Sequence, residues 1–227
     1  MEKPRQWLLA TEQGGRLQCK SETQTKTWIG CLMATQAERR EATRDAIIAA
    51  ATRLFGENGF DATRVDDIAT AAGVAKGAVY HHFPTKESVF EAVFNAVSAG
   101  FANETINRAR KTTDPLDAIV IGARDYIETC SVGETGQIIL KDGPNILGWK
   151  RWRDLDQLYF GATIPRAIEL SIKRGLIAEQ PPEPLSRLLV GAITEAAMAC
   201  AVSENPSREG RRHIRALRTM LEGLRTG

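Results

Sequence analysis

The sequence predicts an all-α protein, with an N-terminal three-helix head containing a helix-turn-helix and a C-terminal helical domain. Three observations predict it. Apolar residues recur at three-and-four spacing in successive stretches beyond residue 36. Helix-stopping signals fall between those stretches, at Gly59, Gly73, Asp114-Pro115, Gly175 and Pro181-Pro182. Residues 63–88 carry the spacing of two short helices crossing steeply: a small residue at the contact (Ala69), a glycine four residues later (Gly73), and a β-branched residue on the inner face of the second helix (Val79). The expected division is an extension at 1–35, a DNA-binding domain at 36–101 with its helix-turn-helix at about 64–83, and a second helical domain at 102–227.

Residues 1–34 hold Gly14-Gly15 and isolated tryptophans, Trp7 and Trp28, without sustained helical periodicity. They lack the continuous apolar region of a signal peptide. Two readings stand equal: translation starts at Met33 and the upstream part does not belong to the native chain, or residues 1–34 are a disordered tail. The first helix is expected over about Gln36–Asn58, burying Ile47, Ala51, Leu54 and Phe55. Gly59 ends it and Phe60 plugs the three-helix core. Arg39, Arg40 and Arg44 lie before it or on its exposed side, where a solvated face and a phosphate contact are equal readings.

Thr63 is expected to cap the next helix, with Asp66 in capping-box position. That helix runs Val65–Ala72 and buries Val65, Ile68, Ala69 and Ala72. Gly73 supplies the left-handed turn, and Ala75–Phe83 forms the reading helix with Val79 inward. Pro84 closes it, and Thr85 caps a long helix from about Lys86 to Lys111.

At these residues the chain resembles the tetracycline-repressor (TetR) family. The resemblance rests on Ile68-Ala69-x-x-Ala72-Gly73-Val74-x-x-Gly77-x-Val79-Tyr80-x-His82-Phe83-x-x-Lys86-Glu87 and on the preceding Arg44 to Phe60 helix, covering roughly residues 40–100. It implies a homodimeric transcriptional regulator on a palindromic double-stranded DNA operator, usually a repressor released by a small ligand, with 102–227 as the ligand-binding (effector) and dimerisation domain. Carried over by position, Lys76, Gly77, Ala78 and Tyr80 face the major groove. Tyr80, His81 and Lys86 match positions that reach the phosphate backbone, while Thr63, Arg64 and Val65 begin the supporting helix near the adjacent strand. His82 is expected to be structural.

Asp114 and Pro115 start a helix to about Cys130. Ser131–Gly136 is expected to be a loop, followed by an apolar run at 137–141. Asp142-Gly143-Pro144-Asn145-Ile146-Leu147-Gly148-Trp149-x-x-Trp152 resembles a segment from one subgroup of the family's C-terminal domains. A helix carrying Trp149, Trp152, Leu155 and Phe160 then reaches about Arg174. Tyr126, Trp149, Trp152, Tyr159 and Phe160 are candidate ligand-pocket residues for an unidentified hydrophobic or amphipathic small molecule. Pro181–Pro184 is expected to be a rigid connector, Leu185–Val202 a helix rich in small residues, and Ser203–Gly210 a polar loop. Leu188, Ala192, Ala196, Ile214, Leu217, Leu221 and Leu224 are candidates for a dimer interface built by the last two helices, a placement implied by the family.

Composition narrows the classes. The 227 residues are 43% hydrophobic and 26% charged, with a net charge of +2. Charge alone does not point to nucleic acid. Four scattered cysteines, without a CxxC pair, argue against a disulfide framework or a metal site and favour a reducing cytoplasm. No apolar run approaches the roughly 18–20 residues that span a bilayer, so no membrane partner is expected. No P-loop, GxGxxG, HExxH or GxSxG is present, and no cofactor or catalytic residue is expected. The rival readings are a thiol redox sensor using Cys130 or Cys200 on the same scaffold, and a small helical enzyme.

Overall fold

The computed structural model describes residues 35–226. The expectations for residues 1–34, including the start at Met33, lie outside the described residues. All packing below lies within one compact unit that begins at Glu41.

Helix α1 spans Gln36–Ala62 and breaks at Gly59, whose φ of 78° and ψ of 169° leave helical space. The expected stop is therefore a break within a longer helical stretch. Ile47, Ala51 and Phe55 are buried, while Leu54 is only half-buried. Phe60 turns back into the head. Its ring lies 5.6 Å from Phe55 and 5.4 Å from Phe90, and the three aromatics form the centre of the core.

Helix α2 is Val65–Ala72, and α3 is Lys76–His82, one residue shorter at each end than expected. The capping expectation needs correction by one residue. The Asp67 carboxylate, not Asp66, accepts the Arg64 N–H at 3.3 Å. Thr63 instead donates its hydroxyl to the Gly59 and Leu54 carbonyls, at 2.8 and 3.1 Å, and stays buried under the α1 break. Gly73 adopts the left-handed conformation (φ 67°), which lets Val74 N–H return to the Ala69 carbonyl at 3.0 Å. Helix α4, Lys86–Ala109, begins at a reciprocal cap in which Thr85 and Ser88 each accept the other's N–H at 3.1 Å.

Helix α5, Pro115–Cys130, starts as expected, with the Asp114 carboxylate accepting Leu116 N–H at 2.8 Å. It is the central helix and packs against α4 and the three long helices that follow. Residues 131–147 differ from the expected loop and apolar run. They form a short helix α6 (Gly133–Gly136), a π-helical segment (Gln137–Asp142) and a short α7 (Gly143–Leu147). Ile138, Ile139 and Leu140 are consecutive and all buried, packed between α4 and α5. A π turn is rare and commonly sits at functional positions. Here Trp152 steadies it by donating its indole N–H to the Ile139 carbonyl at 2.8 Å.

The expected helix from Trp149 to Arg174 is two helices, α8 (Trp149–Tyr159) and α9 (Ile164–Lys173). The chain turns at Phe160–Thr163, where Phe160 packs on Tyr126. Helix α10 spans Pro182–Ala201, so the prolines expected in a rigid connector occupy its first turn. N–H groups there have no intrahelical partner, and proline sacrifices nothing. Helix α11 is Pro206–Glu222, capped by Asn205, which accepts Arg208 N–H at 2.9 Å. Most of the expected 203–210 loop is thus helix.

One helix bears on the membrane expectation. By length and composition α10 is long and apolar enough to cross a membrane, with mean hydropathy 1.2. One apolar face is directed into the protein, however, while Leu188 and Ala192 face outward. Leu189, Val190, Ile193, Ala197 and Cys200 are buried against α5, α9 and α11.

Candidate nucleic-acid interface and ligand cavity

The outer face of the head is built from α2, α3 and the start of α4. Val79 anchors α3 inward at zero exposure, which leaves Lys76, Gly77, Tyr80 and His81 outward and Ala78 half-exposed. Tyr80 is 45% exposed, a large aromatic that a helix spending its apolar surface on the core would hide. Lys76 is not idle. Its ammonium lies 2.9 Å from the Asp66 carboxylate, and this hydrogen bond and charge hold its pKa above the ordinary lysine value. Arg64 reaches the same carboxylate at 3.8 Å. A base or phosphate contact by either side chain must therefore compete with Asp66.

Lys86 sits at the first residue of α4, an unfavourable place for a cation beside the helix dipole. The structure supplies part of the compensation. Its ammonium lies 4.1 Å above the Phe60 ring, a cation–π contact that fixes the lysine at the edge of the face. Arg44 packs over Phe83 in the same way, at 5.6 Å.

Two sequence-predicted members of this face are misplaced. Thr63 is 2% exposed and Val65 is a core residue. Neither side chain reaches the surface, because the one-residue shift of the cap turns Thr63 under the α1 break and Val65 into the head. His82 is half-buried, with its ring 6.3 Å from Phe83, in line with a structural role.

A cavity of about 530 Å³ lies between α4, α5, α9 and α10. Tyr126, Tyr159 and Phe160 line it, as the sequence suggested. Trp149 and Trp152 do not. Trp149 is 65% exposed and Trp152 is fully buried over the π segment. Their three-residue spacing puts them side by side on α8, with ring centroids 5.1 Å apart, on a face turned away from the cavity. Sequence reasoning missed Phe101, Thr105, Arg110, Arg174 and Thr194 in the lining. Only Phe101 carried a signal, as the last apolar position of the α4 stripe.

Behind Tyr126 lies Asp156, fully buried. It accepts the Tyr126 hydroxyl at 2.9 Å and the Thr194 hydroxyl at 3.1 Å, and pairs with Arg153 at 3.2 Å. Burial pushes its pKa up against the pull of these partners. A second carboxylate, Asp142, joins the cavity domain to the head. It accepts Phe60 N–H at 2.8 Å and the Gln137 side-chain amide at 3.1 Å. Its segment stood out in the sequence, but nothing there assigned Asp142 a partner.

The dimer candidates divide. Ala196, Ile214, Leu217 and Leu221 are buried within the chain, and Leu224 is half-buried. They pack α10 and α11 against α5, so their seam is internal. Leu188, at 71% exposure, and Ala192 face outward. Cys130 and Cys200 are buried, and burial raises both thiol pKa values, the reverse of a reactive thiolate. Among the described residues no group of His, Cys, Asp or Glu is placed to hold a metal ion.

Two short helices joined by a tight left-handed turn, the second of them exposed, mounted on a helical domain with a cavity, form the arrangement of a helix-turn-helix regulator. Comparison with known proteins gives the family. Residues 47–93 match the profile of bacterial regulatory proteins of the tetR family, and residues 116–224 match that of the tetracyclin repressor-like C-terminal domain. The HTH-type transcriptional regulator CymR of Pseudomonas putida is 47% identical over 60 residues, 26% of this chain and 30% of CymR. The match thus spans less than a third of that relative's length. A TetR-family transcriptional regulator from Pectobacterium atrosepticum is similar over its whole fold. It is 28% identical, with TM-score 0.75, over 86% of this chain and 99% of that one. RolR, in a complex with resorcinol, shares the fold at 18% identity and TM-score 0.66, over 82% of this chain and 90% of its own. The chain belongs to the tetracycline-repressor family, which places it among regulatory proteins and not among enzymes.

Proposed function

We propose that the protein is a homodimeric repressor that binds a palindromic operator in the cytoplasm and is released by a small hydrophobic or amphipathic ligand. The observation that carries the DNA reading is the exposed Tyr80 and His81 edge of α3, flanked by Lys86 held on the Phe60 ring. The start of α3 enters the major groove. Lys76 reads guanine acceptors once it leaves Asp66, Ala78 offers a methyl contact to thymine, and Arg64 adds a second donor. Gly77 contributes close approach only. With so few donors, the shape of the DNA carries part of the specificity. Tyr80, His81 and Lys86 hold phosphates.

Two heads on a symmetric operator need a dimer. The outward face of α10, with Leu188 and Ala192 and with Val202 just beyond its end, supports that assembly together with Met220 of α11. The proposed domains are a DNA-binding part over 36–101 and an effector and dimerisation part over 102–227. The cavity between α4, α5, α9 and α10 is the effector site.

Fluorescence anisotropy on DNA from upstream of the protein's own gene and its neighbour tests the reading. The expected result is tight, sequence-selective and salt-dependent binding that Tyr80→Ala and Lys86→Ala weaken. The Lys86 loss should be similar across sequences, with the salt slope lower by about one phosphate contact. A sequence-selective loss would refute the phosphate role. Failure to select any sequence from random duplexes would refute DNA recognition itself.

A further inference from the structure

The cavity is polarised along its length. Helices α4 and α5 line it side by side and antiparallel. Phe101 faces Tyr126 with ring centroids 6.3 Å apart, and Thr105 faces Gly122. Arg110 follows at the turn between the two helices. Helix α9 runs alongside. At its start Phe160 packs on Phe101 and Tyr126, at 5.3 and 4.7 Å, and past its end Arg174 donates to the Thr113 carbonyl at 2.7 Å. One end of the cavity is therefore aromatic and the other carries guanidinium groups. From Phe101 to Arg110 the helical rise gives roughly 13 Å.

The polar groups at the two ends are in opposite states. At the aromatic end the two tyrosines and Thr194 have their own protein partners: Tyr126 and Thr194 donate to Asp156, and Tyr159 donates to Asn95 at 3.1 Å. These hydroxyls need no polar ligand atom, and Arg166, on the first turn of α9, is exposed. At the other end, Arg110 has no carboxylate partner among the described residues, and Arg174 has only the Thr113 carbonyl. Asp114, the acid in that lining, is already paired with Arg225 at 2.6 Å. The positive charge is left uncompensated. Part-way along, the Thr105 hydroxyl is buried in the wall without a partner.

We infer that the cavity takes an elongated amphipathic anion, its apolar end among Phe101, Tyr126 and Phe160 and its charged head at Arg110 and Arg174. This rests on the reading of the cavity as the effector site. A planar carboxylate or a phosphate suits the guanidinium forks equally, since both accept two parallel hydrogen bonds.

Calorimetric titration of the full chain with dodecanoate, dodecyl phosphate and dodecan-1-ol, below their aggregation concentrations, tests it. At least one anion is expected to bind about ten-fold more tightly than the alcohol, a discount from a buried pair because the guanidiniums are exposed. Arg110→Gln combined with Arg174→Gln should erase that advantage and leave the alcohol's affinity unchanged. Whichever anion leads identifies the head group. Equal binding of alcohol and anions, or an advantage that survives the double substitution, overturns the inference while leaving the cavity as an apolar site. No binding by any of the three overturns the effector-site reading beneath it.

Discussion

Replacing Asp156 by alanine removes the acceptor on which three helices meet. The three losses are unequal. Thr194 also lies 2.8 Å from the Val190 carbonyl and keeps that bond. Arg153 is partly exposed and turns to water. Tyr126 is buried, and Asp156 is the acceptor for its hydroxyl, so that donor is left unpaired. An orphaned buried hydroxyl costs about 1–3 kcal/mol, and the space left by the carboxylate adds roughly 1 kcal/mol. Acting against this, the variant no longer has a desolvated carboxylate to ionise. Burial raises the Asp156 pKa above its ordinary 3.8. The unfolded chain thus releases this proton at lower pH than the folded one. The group's contribution to stability is complete below about 3.8 and is lost as pH rises towards the folded value. Urea unfolding from about pH 4 to about pH 7.5 should show wild type ahead by about 2–4 kcal/mol at the acid end, with the gap narrowing as pH rises. In the Asp156→Ala background, Tyr126→Phe should cost under about 0.5 kcal/mol, since the partner is already gone. A gap that widens with pH would refute the argument, because it would mean that the ionised carboxylate is the stabilised form.

Asp142→Ala removes the acceptor of Phe60 N–H and should cost about 1–2 kcal/mol. Hydrogen exchange at the Phe60 amide should quicken, and unchanged protection there would deny the link between head and cavity domain. Val202→Glu combined with Leu188→Glu places charge on the exposed apolar end and face of α10. Sedimentation should show a monomer with undiminished helix content, and a dimer that persists would move the interface elsewhere.

The head was legible because its geometry is local. Ala69, Gly73 and Val79 fix the crossing of two short helices, and each does so through its own size or backbone freedom. The cap at Arg64 was misread by one residue because Thr63 and Asp66 mimic a capping box, while a tertiary contact under Gly59 claims the Thr63 hydroxyl. The cavity domain was less legible. Ile214, Leu217 and Leu221 form a stripe that periodicity shows plainly, but periodicity does not say which surface the stripe meets, and here it meets α5. The aromatics Trp149 and Trp152 failed for a related reason, since spacing along α8 does not locate the cavity relative to the helix. The π segment is set by Trp152 and by the crowding at Gly143, where a Cβ would lie 2.9 Å from the Trp152 ring. These contacts bridge 9 and 13 residues, which the three-and-four spacing of a helix does not reveal.

Phe60 belongs to both halves of the molecule. Its ring carries Lys86 at the outer face, and its amide is fastened to Asp142 on the cavity side. The outward residues of α3 have no such double duty, and neither do the cavity walls of α9. Operator preference and ligand preference can therefore drift apart in descendants of this sequence, each by substitution on its own helix. At position 60 the two attachments also part company: replacing the ring unseats Lys86, whereas the amide bond to Asp142 is available to every residue except proline. The tie between the two halves is thus written in the backbone and outlasts most changes of side chain.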